Sequence, residues 1–455
     1  MLDHAWSALD GDPDDLQRVT STADTIRTYL PSPLAVGTLV HDAVAAASLA
    51  AGLLSEDAGG PPITVELDPA RVATAVSSER YFTINGDQPP VWAELSGYWP
   101  TEDGWLRTHA NYPHHRARLI TALGLADASA DELRRALWSL GADEAAELIT
   151  AQGGIAVGVR TEDEWRSSAH GIAAAHEPLI VLERRADGEA QPTRILDSER
   201  PLAGVRVLDL TRVIAGPVAT RTLALFGADV LRIDSPLLPE IAFQHLDTGA
   251  DKQSTILDLA SDRDVLDELL LTADIVVSGY RPGALERFGL DADSLAERGI
   301  IPATLSAWGT GGPWSGRRGF DSIVQAASGI AWLSSKDGSA PGALPAQALD
   351  HSAGYLLAAG IMTSLRRRRE DGTIWSVRTS LARMAVELLD LPRAAARPAT
   401  DVAESTEDPL FEATTVESET DAGVISYAAP APAYSGSPTE WLRAPVSWGS
   451  SPVAW

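Results

Sequence analysis

The segment 201–234, PLAGVRVLDLTRVIAGPVATRTLALFGADVLRID, constrains the fold more than any other part of the chain. An apolar run at 205–210 leads into a loop containing Gly216, then an Ala/Leu/Val helical pattern, then a second apolar run at 230–233. Strand, loop, helix and strand in that order open a wound parallel sheet. Similar runs follow at 275–278 and 304–307, separated by helical patterns. Strands buried on both faces are near-continuously apolar, because helices cover both sides of their sheet. The expected fold class is therefore α/β, a wound parallel sheet (Rossmann-like) forming a large domain at 200–395, with a smaller α+β domain ahead of it.

That smaller domain is placed at 91–185. Within 97–110, GYWPTEDGWLRTHA, two short strands meet at an Asp-Gly turn. Helical patterns follow at 113–124, 130–140 and 142–152, and Ser129 with Glu132 and Thr161 with Glu164 have capping-box spacing. The N-terminal segment 1–90 opens with a polar helical lead-in. It continues as an Ala/Leu-rich helix at 35–54, a Gly-Gly-Pro-Pro turn at 59–62 and a strand at 63–67. Residues 184–199 read as a polar linker and 396–422 as a flexible crossing segment. The end of the C-terminal segment 396–455 is rich in Pro, Ser and Trp and is expected to pack back on the large domain.

A formal charge of −27 argues against generic nucleic-acid binding and against adsorption to anionic membranes. A phosphorylated ligand stays compatible, because a few local arginines or helix N-termini can hold phosphate inside an acidic envelope. With no cysteine there is no thiolate metal site and no cysteine nucleophile. The acidic N-terminus lacks a signal-peptide pattern. Apolar stretches such as 43–54 fall short of the roughly 20 residues that span a bilayer. A cytoplasmic location is expected. His114 and His115 are adjacent, so on a helix they diverge and make a poor metal pair. The run 366–369 reads as a solvated helix end.

Two positions invite chemistry. Ile214, Ala215 and Gly216 sit between a parallel strand and a helix, the usual ligand crevice of such sheets, although a tight turn needing glycine explains them equally. No G-x-G-x-x-G accompanies them, so a dinucleotide site is disfavoured. Asp350 stands at the N-terminal start of a helix within 345–365, where an aspartate is either an N-cap or an available carboxylate.

Four stretches decide how these are read: TRVIAGP at 211–217, SGYRPGALERFGL at 278–290, SAWGTGGPWSGRRGFDSIVQAASG at 306–329 and PAQALDHSAGYLLAAGIMTSL at 345–365. Together they resemble the class III CoA-transferases, the CaiB/BaiF family of formyl-CoA transferase, carnitine CoA-transferase and α-methylacyl-CoA racemase. The resemblance implies an acyl-CoA:carboxylate CoA-transferase with Asp350 as nucleophile. It implies coenzyme A as acyl-CoA substrate, a carboxylic acid acceptor, no metal and a homodimer. It places Ile214, Ala215, Gly216, Tyr280, Arg281, Arg287, Phe320 and Asp321 against coenzyme A. It adds Leu257 and Asp258 from DKQSTILDL, a degraded form of the family's basic strand in which Lys252 and Ser254 remain. Racemases carry histidine where this chain has Phe320, and phenylalanine cannot exchange a proton, so racemisation is disfavoured. A catalytically degenerate scaffold is the other alternative, motivated by the altered 251–256 strand.

The order of parts is unusual. The small-domain resemblance at 97–185 precedes the large domain, whereas in relatives it follows the large domain's first part. Residues 42–52 also share six of eleven positions with 350–360, and 65–73 share four of nine with 377–385. Alanine-rich helices produce such matches by chance. A rearranged chain in which 35–80 is a worn copy of the catalytic helix and strand explains them too, with Asp42 an inactive relic of Asp350.

Overall fold

The computed structural model describes residues 1–127, 129–187, 197–393 and 411–455. Its centre is a seven-stranded sheet. In chain order the strands are β1 (Val181–Ala186), β2 (Arg206–Leu210), β3 (Asp229–Asp234), β4 (Lys252–Ile256), β5 (Ile275–Ser278), β6 (Ile301–Ser306) and β7 (Ile374–Ser380). In space the order is β1-β7-β6-β5-β2-β3-β4, all parallel except β1, which pairs antiparallel with β7. The chain therefore winds outward from β2 through β3 to β4, then crosses back to β5 and winds the other way. The switch point lies between β2 and β5, where connecting loops diverge and leave a crevice at the strands' carboxyl ends.

Alternate side chains of the strands feed two separate cores. Val207, Val230, Ile275, Val277, Ile301, Ala303, Leu305 and Val377 join the larger one, beneath helices Ala215–Leu225 and Ala348–Asp371. Leu208, Leu210, Leu231, Ile233 and Val276 face the other, with Leu266, Leu269 and Leu270 of helix Arg263–Leu270 and Leu295 of helix Ala292–Glu297. Both faces are covered, which is why the strands carry no polar alternation. Close approach of helices Ala215–Leu225 and Ala348–Asp371 requires Gly354, since a β-carbon there would stand 2.4 Å from the Ala215 carbonyl oxygen.

The small part holds strands Gly97–Pro100, Trp105–Thr108 and Ala156–Gly158 and helices Pro113–Leu123, Ala130–Leu137 and Ala142–Ala151. Its own core is built on Leu95, Trp99, Leu106, Leu119, Leu133 and Ile149. Both N-caps form, Ser129 Oγ accepting from the Glu132 N–H and Thr161 closing a full capping box with Glu164. A third sheet pairs Thr83–Ile84 with the hairpin Thr415–Thr420 and Gly423–Ala428.

Several expectations are corrected. Of the linker at 184–199, residues up to Ala186 belong to β1, and 188–196 lie outside the described residues. Of the crossing segment at 396–422, residues 396–410 also lie outside them, while Thr415–Thr420 is a strand paired along its length. The arginines at 366–369 are not a solvated end. Arg368 is buried and pairs with Asp274 at 2.8 Å, Arg366 with Asp57 at 2.6 Å and Arg367 with Asp10 at 3.0 Å. Helix Val36–Asp57, at 22 residues, is long and apolar enough to cross a membrane, unlike the shorter run read from the sequence. Here it is buried along nearly its whole length and lies against helix Ala348–Asp371. It touches that helix rather than a sheet, and Val65 beyond it makes only a single parallel bridge to Val19. Asp42 stands away from the crevice, its carboxylate accepting from the Leu2 N–H at 2.9 Å and meeting His41 Nδ1 at 2.7 Å.

Candidate active site

The crevice at the switch point is a cleft of about 260 Å³, near the lower end of the roughly 300–1,000 Å³ typical of small-ligand pockets. Loops after β2, β5 and β6 form its walls through Val213, Tyr280, Arg281 and Ala307. The floor is Asp350, and the small part closes the far side with Tyr112, His114, His115 and Arg118.

The β2 loop is held under tension. Val213 adopts φ +71°, a left-handed conformation that costs a β-branched residue energy. Gly216 in the first turn of helix Ala215–Leu225 cannot be replaced without movement, because a β-carbon would meet Thr211 Cβ at 2.3 Å. Glu240 fixes the strained loop from behind. It accepts the Val213 N–H at 3.1 Å and an Arg232 Nη2 bond at 2.8 Å, and the Tyr112 hydroxyl donates to its other oxygen. One buried carboxylate thus ties the β2 loop, β3 and the small part together.

Asp350 lies in the first turn of helix Ala348–Asp371, whose N-cap is Gln347. The capping explanation of Asp350 therefore fails. Its carboxylate is 6% exposed, faces the cleft and accepts no hydrogen bond among the described residues. Its backbone N–H donates to Asp321 Oδ2 at 2.9 Å, and Gln325 Nε2 donates to the other Asp321 oxygen at 2.5 Å. Burial, then the charges of Asp321 and Glu79, push the Asp350 carboxyl well above the usual range. Burial likewise raises Asp321 to about 6 and Glu79 to about 7. The helix N-terminus favours the ionised form, but desolvation outweighs it. The resulting anion is poorly solvated, which suits a nucleophile.

The expected ligand-contacting residues divide. Ala215, Gly216, Tyr280, Arg281 and Phe320 line the cleft with Asp350, and Ile214 caps the helix at its edge. Asp321 is buried behind Asp350 and supports it rather than facing the cleft. Arg287 lies outside: its short 3₁₀ turn Glu286–Phe288 is surface, and its guanidinium stacks 4.6 Å over Phe288. Leu257 is core, and the Asp258 side chain accepts from the Ala260 N–H in a local turn. Lys252 is also unavailable to a phosphate. Its ammonium is buried, 3.2 Å from Asp209 and 2.6 Å from Thr220 Oγ1, and burial lowers its pKa to about 8.

Other residues in the cleft wall or packed behind it were not singled out in the sequence as ligand contacts. His109 stacks on Phe320 at 3.9 Å between ring centroids, with Tyr112 and His115 at 6.2 and 6.0 Å. Burial keeps His109 and His115 neutral, with pKa values of about 3 and 2. The stretch NYPHHRAR held the signal, a helix start dense in histidine and arginine, but its meaning depends on which wall it faces. Among the described residues no three His, Asp or Glu side chains converge as a metal site.

The chain is 27% identical over 329 residues to an acyl-CoA transferase of Gibberella moniliformis, covering 67% of this chain and 58% of that protein. It is 44% identical over 140 residues to an acetyl-coenzyme A transferase of Hypoxylon pulicicidum, covering 29% of this chain and 24% of the relative. A solved structure of a Mycobacterium tuberculosis hypothetical protein superposes with TM-score 0.39 at 32% identity, over 42% of this chain and 57% of that one. The chain thus spans little more than half the length of these relatives, or less. Residues 202–413, which carry the switch-point loops and Asp350, match CoA-transferase family III.

Proposed function

We propose that the protein is an acyl-CoA:carboxylate CoA-transferase with Asp350 as nucleophile. The observation that carries this reading is a cleft-facing carboxylate without a hydrogen bond of its own, at the switch point of a parallel sheet. An Asp350 oxygen attacks the thioester carbonyl, and the C–S bond breaks to release CoA thiolate and leave a mixed anhydride. The thiolate attacks the aspartyl carbonyl and expels the first carboxylate, giving an aspartyl-CoA thioester. An acceptor carboxylate repeats the exchange in reverse, leaving with CoA and restoring Asp350. The cleft residues Ala215, Gly216, Tyr280 and Arg281 would hold coenzyme A, with Phe320 over the reacting carbonyl. A cytoplasmic homodimer belongs to the same reading.

Calorimetric titration with free CoA and dephospho-CoA, followed by mass spectrometry after mixing with a panel of acyl-CoAs, tests it. Saturable CoA binding and a CoA adduct on the peptide bearing Asp350 are expected. Asp350→Ala should keep CoA binding and lose the adduct and transfer. Full transfer activity in that variant would overturn the assignment.

A further inference from the structure

Five arginines line the cleft (Arg118, Arg212, Arg281, Arg317 and Arg318), against one carboxylate, Asp350. Two face carboxylates, Arg212 with Glu240 at 3.6 Å and Arg317 with Glu147 at 2.7 Å, while Arg281 donates to the Gly316 carbonyl at 3.1 Å. The other two also lack a carboxylate partner among the described residues. Arg118 donates a single bond, to the Gly153 carbonyl at 3.1 Å, and the Arg318 guanidinium meets no acceptor among the described residues. Both flank one spot, since a β-carbon on Gly153 would stand 3.4 Å from Arg118 Nη1 and 3.5 Å from Arg318 Nη1.

Two guanidinium groups from different parts of the fold therefore approach within about 7 Å, and no carboxylate bonds either of them among the described residues, an arrangement that repels unless an anion enters. Burial lowers the Arg318 pKa, and the charges of Arg281 and Arg118 lower it further. Such pairs suit a planar carboxylate, which each guanidinium can engage in a fork.

We propose that the acid exchanged by this protein carries a second carboxylate, held between Arg118 and Arg318 while its other end faces Asp350. The inference rests on the CoA-transferase reading and names its substrate class, a short dicarboxylate. Reach favours this over a CoA phosphate. Arg318 is three residues before Asp321, whose carboxylate touches the Asp350 backbone. Three residues span at most about 10 Å, which a dicarboxylate of roughly four to six carbons covers once the arginine side chain is included. The phosphates of an acyl-CoA lie at the far end of the pantetheine arm from the thioester.

The test compares succinyl-CoA with butyryl-CoA, which share chain length and differ in the terminal carboxylate. Titrations are made in the Asp350→Ala background to prevent turnover. Succinyl-CoA should bind at least about tenfold more tightly. Adding Arg318→Gln, or separately Arg118→Gln, should reduce that preference to about twofold or less while the Kd for free CoA stays unchanged. Equal binding of the two thioesters overturns the proposal. So does a variant that weakens free CoA and both thioesters alike, which would make a CoA phosphate the anion. Absence of any CoA binding would instead sink the transferase reading. Direct titration with glutarate against butyrate would then decide the arginine site: glutarate binding lost in Arg318→Gln keeps it, and no glutarate binding removes it.

Discussion

Replacing Glu240 with glutamine tests whether one buried carboxylate organises the cleft. Its side chain is 1% exposed, and it accepts from Arg232, the Val213 N–H, the Tyr112 hydroxyl and the Ile241 N–H. Burial alone would raise this carboxyl, yet Arg232, Arg212 and the hydrogen bonds bring it down to about 2 from an ordinary 4.5. A depression of that size corresponds to about 3 kcal/mol of stability at neutral pH. The sign follows from the depressed folded value. The contribution is fully present above about pH 4.5 and is lost as pH falls through about 2. Removing one partner of a buried ion pair independently suggests about 3–5 kcal/mol, because Arg232 keeps Asp234 but loses its second anion. Urea unfolding followed by tryptophan fluorescence at pH 7 should show Glu240→Gln destabilised by about 3 kcal/mol. CoA affinity should also drop, since Val213 at φ +71° and Tyr112 lose their common anchor. A variant within about 0.5 kcal/mol of the parent, the range of an ordinary surface change, would refute the argument.

Two further predictions concern the chemistry. Asp321→Asn removes the nearest charge acting on Asp350 while keeping an oxygen for its N–H. Because attack requires ionised Asp350, the acid limb of the kcat/KM profile should move to lower pH, and a limb that stays or moves upward would contradict the coupling. Phe320, which lines the cleft, carries no exchangeable proton, and burial makes its neighbours His109 and His115 weak bases, with pKa values of about 3 and 2. A chiral 2-methylacyl-CoA incubated in deuterium oxide should therefore acquire no deuterium at its α-carbon, and incorporation detected by mass spectrometry would restore the racemase alternative.

The sequence by itself determined the local elements and singled out Asp350. Near-continuous apolar runs meant strands covered on both faces, and the two cores that divide Val207 from Leu208 are the physical form of that pattern. The Asp-Gly turn, the capping box at Thr161 and the helix starting near Asp350 are contacts within a few residues, so neighbouring sequence sufficed. What surrounds those elements came only from the tertiary structure. Lys252 and Arg287 both fall in stretches that resemble the family's CoA-binding motifs, yet one is drawn inward by Asp209 and the other lies over Phe288 on the surface. The carboxylate that draws Lys252 inward lies 43 positions away along the chain. Arg118 and Arg318 stand 200 positions apart in the chain, and only the packing of the small part against the loop after β6 brings them to one side of Gly153. Local hydrogen bonding and side-chain period are written along the chain, whereas charge pairing and burial depend on which surfaces meet.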